Sequence, residues 1–208
     1  MDDVFSTTAS SKQILNKIKG SKFYANIARV NSVNEAKLFL EKVKDKYYDA
    51  SHNVNAYKIY SGDLAIKYSD DDGEPASSSG PPVLQAIEGE GLTNTIIVIS
   101  RYFGGTKLGI GGLIRAYGET ARYIIKEAGK RELRLHYSLK ININYKLLGT
   151  VLGQVEAFGA GIRKTEYTNA GVDISIIIRA SEFNKLEKVL IEKTANTVDI
   201  QKKIQIHF

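Results

Sequence analysis

The chain has 208 residues, no cysteine, no tryptophan and a formal net charge of +6. Its 43% hydrophobic and 25% charged residues are typical of a folded globular protein, which excludes wholesale disorder. Without cysteine there is no disulfide framework, thiolate nucleophile or cysteine-ligated metal, and three scattered histidines disfavour a histidine metal site. We expect no metal and no cofactor. No apolar run approaches the ~20 residues that cross a bilayer, and the acidic N-terminus is not a secretory signal. These features predict a cytoplasmic protein without membrane contact.

The first 130 residues predict a mixture of strands and helices. Apolar runs indicate strands at 23–30, 54–60, 64–68 and 95–100, with a hairpin turn at 61–63. Ser32 and Glu35 have the spacing of a capping box, and the helix they begin has one apolar face, formed by Val33, Ala36, Leu40, Val43 and Tyr47. The longest helix is predicted at 112–128, with its inward face formed by Leu113, Tyr117, Ala121 and Ile124. Gly129 is placed to end it.

The residues after this glycine follow a second pattern. Alternating apolar and polar residues predict a strand at 136–145, and helical spacing predicts a helix at 145–158. Two strands at 162–168 and 172–179 flank the turn at 169–171, and Ser181 is a candidate N-cap for a second helix. A last strand spans 198–208. The order βαββαβ is the ferredoxin-like pattern.

These two patterns predict an α+β protein with two domains, residues 1–130 and 131–208. The polar stretch 129–132 is the expected boundary. Lysine and arginine exceed aspartate and glutamate by two over residues 1–130 and by four over residues 131–208. A positive excess suits an anionic partner such as RNA, although a solvated basic surface explains it equally well.

A polar loop over 72–82 contains three serines, three prolines and one glycine after its acidic start at 72–74. Its serine hydroxyls and free N–H groups, together with a helix beginning at Pro81 or Pro82, would suit a phosphate or carboxylate. The alternative is a structural loop in which Ser79 caps the helix. The residues that define this loop motif are Asp72, Gly73, Glu74, Pro75 and Gly80.

A glycine-rich stretch over 101–112 lies between a buried strand and the longest helix. Strand, glycine loop and helix N-terminus together form a common anion site, yet the spacing matches neither a P-loop nor a dinucleotide fingerprint. Close packing of the chain on itself is the alternative reason for the glycines. The residues predicted to bind RNA or another anion here are Arg101, Tyr102, Gly104, Gly105, Lys107, Gly109, Gly111, Gly112 and Arg115.

Basic and aromatic side chains are neighbours in this stretch, as a phosphodiester backbone with stacked bases requires. The structural alternative packs Phe103 in the core and pairs Arg101 with Glu74. For Arg115, a surface pair with Glu119, four residues further along the helix, is the favoured interpretation.

His52 precedes a strand and is a weak candidate for a general base. In that hypothesis a carboxylate, Asp72 or Glu74, orients the imidazole and a loop serine such as Ser78 is the nucleophile. Nothing in the spacing establishes such a triad. A histidine at a strand start is more often a packing or hydrogen-bonding residue, and His136 and His207 are weaker candidates still.

The run RYFGGTKLGIGGLIRAY from Arg101 to Tyr117, together with Ser51-His52 and Asp72-Gly73-Glu74-Pro75, resembles the YigZ/IMPACT family. The resemblance covers roughly residues 18–128; the later residues match in element order alone. It implies an Impact-like N-terminal β/α sandwich resembling domain 2 of a small-subunit ribosomal protein and domain IV of elongation factor G. The C-terminal half would then resemble domain V of that factor.

The resemblance implies a role near RNA or the ribosome by analogy of fold. Eukaryotic members restrain an initiation-factor kinase by competing for its activator, but they carry a different extra domain. This chain also departs from the family pattern, with Ala76 to Gly80 in place of Ser-Gly-Thr-Ala-Gly and Val54 in place of a common cysteine.

Three functions therefore remain open. The first is a non-enzymatic regulator of translation that binds RNA, the ribosome or a regulatory protein. The second is a small hydrolase or transferase using His52 and Glu74 near a glycine-rich anion site. The third is a protein-binding module that does not contact nucleic acid. The sequence leaves the oligomeric state open.

Overall fold

The computed structural model describes residues 3–61 and 64–207. Contacts divide the chain into two compact units. The first comprises residues 5–132, and the second comprises residues 3–4 and 133–207 of the described chain. Gly62 and Asp63, the centre of the predicted turn, lie outside the described residues.

The first unit is built on an antiparallel five-stranded sheet in the order β2-β3-β6-β4-β5. Its elements, with the strand β1 that begins in the second unit, are β1 (Val4–Thr8), β2 (Lys12–Ile18), β3 (Ser21–Arg29), α1 (Val33–Lys46), β4 (His52–Ser61), β5 (Leu64–Asp70), α2 (Gly80–Gly89), β6 (Thr95–Tyr102) and α3 (Ile110–Ala128).

Helices cover both faces of this sheet, which explains why β6 is apolar along its length. One face packs on α2 and α3 through an apolar cluster that includes Phe23, Ile97 and Tyr117. The other packs on α1 through a cluster that includes Val43 and Ile96. Residues alternate between the two faces along each strand. Each strand residue is therefore assigned to the α1 side or to the α2–α3 side.

The predicted helix signals are confirmed in part. Ser32 Oγ accepts a hydrogen bond from the Glu35 N–H at 3.2 Å, as a capping box requires. The Glu35 carboxylate accepts from the Asn31 N–H rather than from Ser32, so the reciprocal bond is absent. Gly129 ends α3 with a φ of +71°, in the left-handed region that favours glycine.

The second unit has the ferredoxin-like strand order β10-β7-β9-β8. Helices α4 and α5 pack on one face of this sheet through Val151, Val155, Phe183, Leu186 and Leu190. The α+β, two-domain fold class is confirmed. The elements are β7 (Lys130–Ile143), a 3₁₀ turn (Tyr145–Leu147), α4 (Leu148–Ala157), β8 (Gly161–Thr168), β9 (Gly171–Arg179), α5 (Ala180–Lys193) and β10 (Asp199–His207).

Several element boundaries differ from the prediction. Strands β1 and β2 were not predicted, and the polar residues 130–132 begin β7 rather than forming a linker. Ser181 is not an N-cap, because α5 begins at Ala180 and the hydroxyl and N–H of Ser181 donate to the Asp3 carboxylate. Among the helices of the described ranges, none combines the length and apolarity needed to cross a bilayer.

Candidate functional site

A buried charge pair lies beneath the glycine-rich stretch. Strand β6 runs on to Tyr102, so Arg101 is a strand residue that points toward α3. Its Nη1 donates to Glu74 Oε1 at 2.7 Å, and the Tyr117 hydroxyl donates to the same oxygen at 2.7 Å. The Glu74 and Arg101 side chains are 3% and 7% exposed. Burial, and then the Glu74 charge, raise the pKa of the Tyr117 phenol, so it remains a hydrogen-bond donor.

His52 lies next to this pair but is not hydrogen-bonded to it. Its Nε2 is 3.9 Å from Glu74 Oε2, and its Nδ1 is 2.8 Å from the Asp72 carbonyl oxygen. Gly73 faces the imidazole ring. The structure therefore brings His52, Glu74 and the Asp72 backbone together. Ser78 does not complete this group, because its fully buried hydroxyl donates to the Pro75 carbonyl.

The loop between β5 and α2 supplies its own anion. The Asp71 carboxylate accepts from the Ser77, Ser79 and Gly80 N–H groups and from the Ser79 hydroxyl, at 2.6–2.9 Å. Burial alone would raise the Asp71 pKa, but these bonds outweigh burial and lower it. The predicted phosphate position at the start of α2 is thus filled by a side chain of the chain itself.

The other loop-motif residues are held in the same way. The Asp72 carboxylate accepts from the Asn53 N–H at 2.6 Å and pairs with Lys44 at 2.9 Å. Gly80 needs to be glycine because a Cβ there would lie 2.8 Å from the Asp70 backbone. The motif is therefore tightly packed and largely satisfied internally.

Glycine is present at positions 104 and 109 of the glycine-rich stretch for two different structural reasons. A Cβ on Gly104 would lie 1.9 Å from the Gly20 carbonyl carbon, so close packing of the chain on itself explains this position. Gly109 is the N-cap of α3 with a φ of +71°, and it carries no side chain to cap the helix. Gly105 also has a positive φ, whereas Gly111 and Gly112 belong to the first turn of α3.

An open cavity of about 340 Å³ lies at this uncapped N-terminus. The exposed Lys107 and Ile110 contribute to its wall, and Glu74 and Arg101 contribute buried charge. Helix N-termini and lysine both favour negative charge, so anion binding at this second loop stays a prediction.

A second open cavity, of about 470 Å³, lies on the other side of Phe103. Its lining combines basic and aromatic side chains from β3, α1 and β6, and the complete set is Gln13, Gly20, Lys22, Tyr24, Lys46, Tyr47, Tyr102 and Phe103. Phe103 is 51% exposed and lines both cavities. We call these two cavities, with Phe103 between them, the Phe103 surface.

The basic and aromatic residues that the sequence grouped together have different environments in the structure. Arg101 is buried and paired with Glu74, so its structural alternative holds, whereas Phe103 is exposed and not a core residue. Tyr102 is partly buried, and its hydroxyl donates to Asp49. This hydrogen bond is the main cause, and burial the second, that raises the pKa of Tyr102 to about 12. Arg115 is exposed, and within the described residues no ion pair joins it to Glu119.

Lys22, Tyr24 and Lys46 were not among the predicted site residues. The signal was present in β3, where Lys22 and Tyr24 occupy alternate positions on one strand face. Lys22 pairs across the sheet with Tyr102, which only strand register reveals. Within the described residues no group of three histidine, aspartate or glutamate side chains could hold a metal ion.

These features define a two-unit α+β protein with a basic, aromatic surface beside a buried charge pair. The profile of the Impact N-terminal domain family matches residues 19–125. The chain is 32% identical over 184 residues to IMPACT family member YvyE of Bacillus subtilis, covering 88% of this chain and 84% of that protein. It is 37% identical over 111 residues to IMPACT family member YigZ of Escherichia coli, covering 53% and 54%. The chain belongs to the IMPACT family.

A solved structure shares the fold over nearly the whole chain. The crystal structure of a hypothetical protein aligns with a TM-score of 0.70 and 24% identity, covering 96% of this chain and 97% of that one. At this identity the likeness concerns the fold alone.

Proposed function

We propose that this protein regulates translation without catalysing a reaction. It does so by binding single-stranded RNA, either ribosomal RNA or RNA that the ribosome uses, on the Phe103 surface. The observation that carries the proposal is the exposed Phe103 ring between two cavities with lysines on both sides. An exposed aromatic ring flanked by cations is the arrangement that stacks a base and holds its phosphates.

The charges on this surface have the right sign and accessibility. Lys22 and Lys107 are exposed, and no ion pair involves either of them within the described chain. Lys46 is also exposed, and its ammonium donates to Gln13. A lysine without a carboxylate partner can contact phosphate without first breaking an ion pair.

The buried pair of Glu74 and Arg101 has a structural role next to this surface and is not arranged for catalysis. The Glu74 carboxylate accepts hydrogen bonds from Arg101 and Tyr117. Its distance of 3.9 Å from His52 Nε2 is longer than a hydrogen bond. The hydrolase or transferase alternative also needs a nucleophile, and the buried hydroxyl of Ser78 is committed to Pro75. The geometry therefore favours binding over that alternative.

The test compares RNA binding by the full chain and by Phe103→Ala and Lys107→Ala variants. Affinity for a fluorescent single-stranded RNA is measured across a range of salt concentrations. We expect Phe103→Ala to weaken binding about 5- to 150-fold, because base stacking contributes ~1–3 kcal/mol per base. Lys107→Ala should make the negative slope of log K against log salt concentration less steep by about 0.7, because one phosphate contact fewer releases counterions.

Two variants provide matched controls. Tyr48→Ala removes another exposed ring, and Lys126→Ala removes a lysine at the opposite end of α3. Neither should change affinity or slope. Equal effects of the site and control variants would reject the Phe103 surface. Recovery of a protein partner that survives nuclease treatment and needs no RNA would instead support a protein-binding module.

A further inference from the structure

Strand β8 forms one edge of the sheet in the second unit. Within the described chain it pairs with β9 alone, so the outer side of its backbone carries hydrogen-bonding groups that no strand takes up. Its side chains are mostly exposed, and two of them are large and apolar, with Ile162 49% and Tyr167 67% exposed. An edge with free backbone groups and exposed apolar side chains is a template for pairing with another strand.

The charges of β8 lie on the sheet face that the helices leave uncovered. Thr165 is opposite Ile174 of β9, whose side chain belongs to the core under α4 and α5. Because alternate residues share a face, the neighbouring Lys164 and Glu166 lie on the other face. Their side chains are 63% and 48% exposed, and they pair with each other at 2.6 Å. Both charges are therefore accessible at the edge.

Strand register arranges the charges of this face in two adjacent rows. Lys164 is opposite Ser175, which is opposite Lys140 on β7, so this row is basic. Glu166 is opposite Asp173, so the next row is acidic. Lys140 and Asp173 pair between the rows at 2.8 Å. Because both rows end at β8, the free edge presents a positive and a negative charge side by side.

We propose that β8 pairs antiparallel with β8 of a second copy of this chain, which makes a two-fold symmetric dimer with one sheet continuing across both copies. With Thr165 on the two-fold axis, Lys164 of each copy lies opposite Glu166 of the other. The basic row of one copy then continues into the acidic row of the other. This register joins residues of the same face, so outward-pointing backbone groups meet outward-pointing groups.

Charge complementarity selects a second copy as the occupant of this edge. Edge strands commonly carry charge that prevents pairing, and β2, an edge of the other sheet, shows this arrangement. Its charged residues are Lys12 and Lys17, so two β2 strands would bring only positive charges together. Two β8 strands bring together two lysines and two glutamates that attract across the axis. A two-fold contact also closes after two copies.

The test measures the mass of the full chain by analytical ultracentrifugation. A single strand pair is a small interface, so we expect a weak monomer–dimer equilibrium and cover about 10 μM to about 1 mM. Lys164→Glu and Glu166→Lys should each weaken the dimer about tenfold or more, because two attractive cross-strand pairs become repulsive. The matched controls Lys188→Glu and Glu192→Lys make the same charge changes at exposed positions of α5 and should dimerise like the parent.

Mixing the two single variants restores complementary charges. One chain then presents two glutamates and the other two lysines, so a heterodimer should form at least as tightly as the parent dimer, which also shows that both variants fold. The double variant Lys164→Glu, Glu166→Lys exchanges the charges and should recover the homodimer. Phe103→Ala should dimerise like the parent, because pairing at β8 does not depend on RNA binding.

Four results would overturn the proposal. The first is a monomeric parent protein up to about 1 mM. The second is association that Lys164→Glu and Glu166→Lys leave unchanged, which would place the contact elsewhere. The third is a mixture of these two variants that stays monomeric. The fourth is growth beyond the dimer, which would exclude a closed two-fold contact.

Discussion

Glu74 and Arg101 hold opposite charges where water hardly reaches them. Removing one partner of a buried pair leaves the other charge without compensation and costs about 3–5 kcal/mol. We therefore expect Glu74→Gln to lower the free energy of unfolding by about that amount, as measured by urea denaturation. The double variant Glu74→Met, Arg101→Met removes both charges and should recover much of the loss.

The matched control is the pair Lys67–Glu88, whose side chains are substantially exposed. Exposed pairs contribute ~0–1 kcal/mol, so Lys67→Ala should change stability little. A Glu74→Gln variant as stable as Lys67→Ala would show that the buried pair does not hold this loop to β6.

The pairing of Arg101 with Glu74 was one of two interpretations that the sequence allowed. Periodicity could not choose between them, because the pair joins residues 27 positions apart and depends on how the loop returns to the sheet. Phe103 was assigned to the core in that alternative and is exposed instead. An aromatic residue directly after a buried strand carries no signal of its own for either environment.

At the scale of elements, the N-terminus of α2 depends on a single carboxylate. Asp71 accepts four hydrogen bonds from the loop and the first helical residue. Asp71→Asn removes the charge and half of the acceptor capacity, so we expect it to cost about 1–2 kcal/mol at pH 7. Urea unfolding at several pH values measures the loss.

The pH dependence has a defined sign. The Asp71 pKa is lowered by folding, so its stabilisation is complete above the ordinary value of 3.8 and decreases as the pH falls below it. The parent and the Asp71→Asn variant should therefore converge in acid. Asp45→Asn, at an exposed position on α1, should follow the parent at every pH. A difference that is constant with pH would contradict the role of the Asp71 charge.

Amphipathic helices were predicted well because their apolar faces repeat over several turns, as along α3. Strand β1 was missed because it is short and its buried residues, Thr7 and Thr8, are polar. Strand β2 was missed because, unlike β6, it has no buried residue and so no continuous apolar run. Ser181 has the residue type of an N-cap, but its hydroxyl donates to Asp3, a contact across 178 positions. Local sequence patterns do not encode such long-range partners.

At the scale of the whole molecule, the ferredoxin-like order of the second unit followed from element order alone. The first residues of the described chain were not expected to belong to it, yet residues 3–4 cluster with 133–207. The assignment of residues 1–130 to an Impact-like domain and of 131–208 to a domain resembling domain V of elongation factor G stays a prediction.

Asp3 ties these first residues to the second unit. Its carboxylate accepts from Arg179 and Ser181, and these bonds outweigh burial and lower its pKa to about 2. The stabilisation is complete above about pH 4 and is lost as the pH falls toward 2. Asp3→Asn should cost about 1–2 kcal/mol at pH 7 and little at pH 2.

Amide hydrogen exchange on the full chain carrying Asp3→Asn should show faster exchange in β7 and β9, with β3 and β6 unchanged. The exposed Asp199→Asn should exchange like the parent, and acceleration across both units would contradict a local effect.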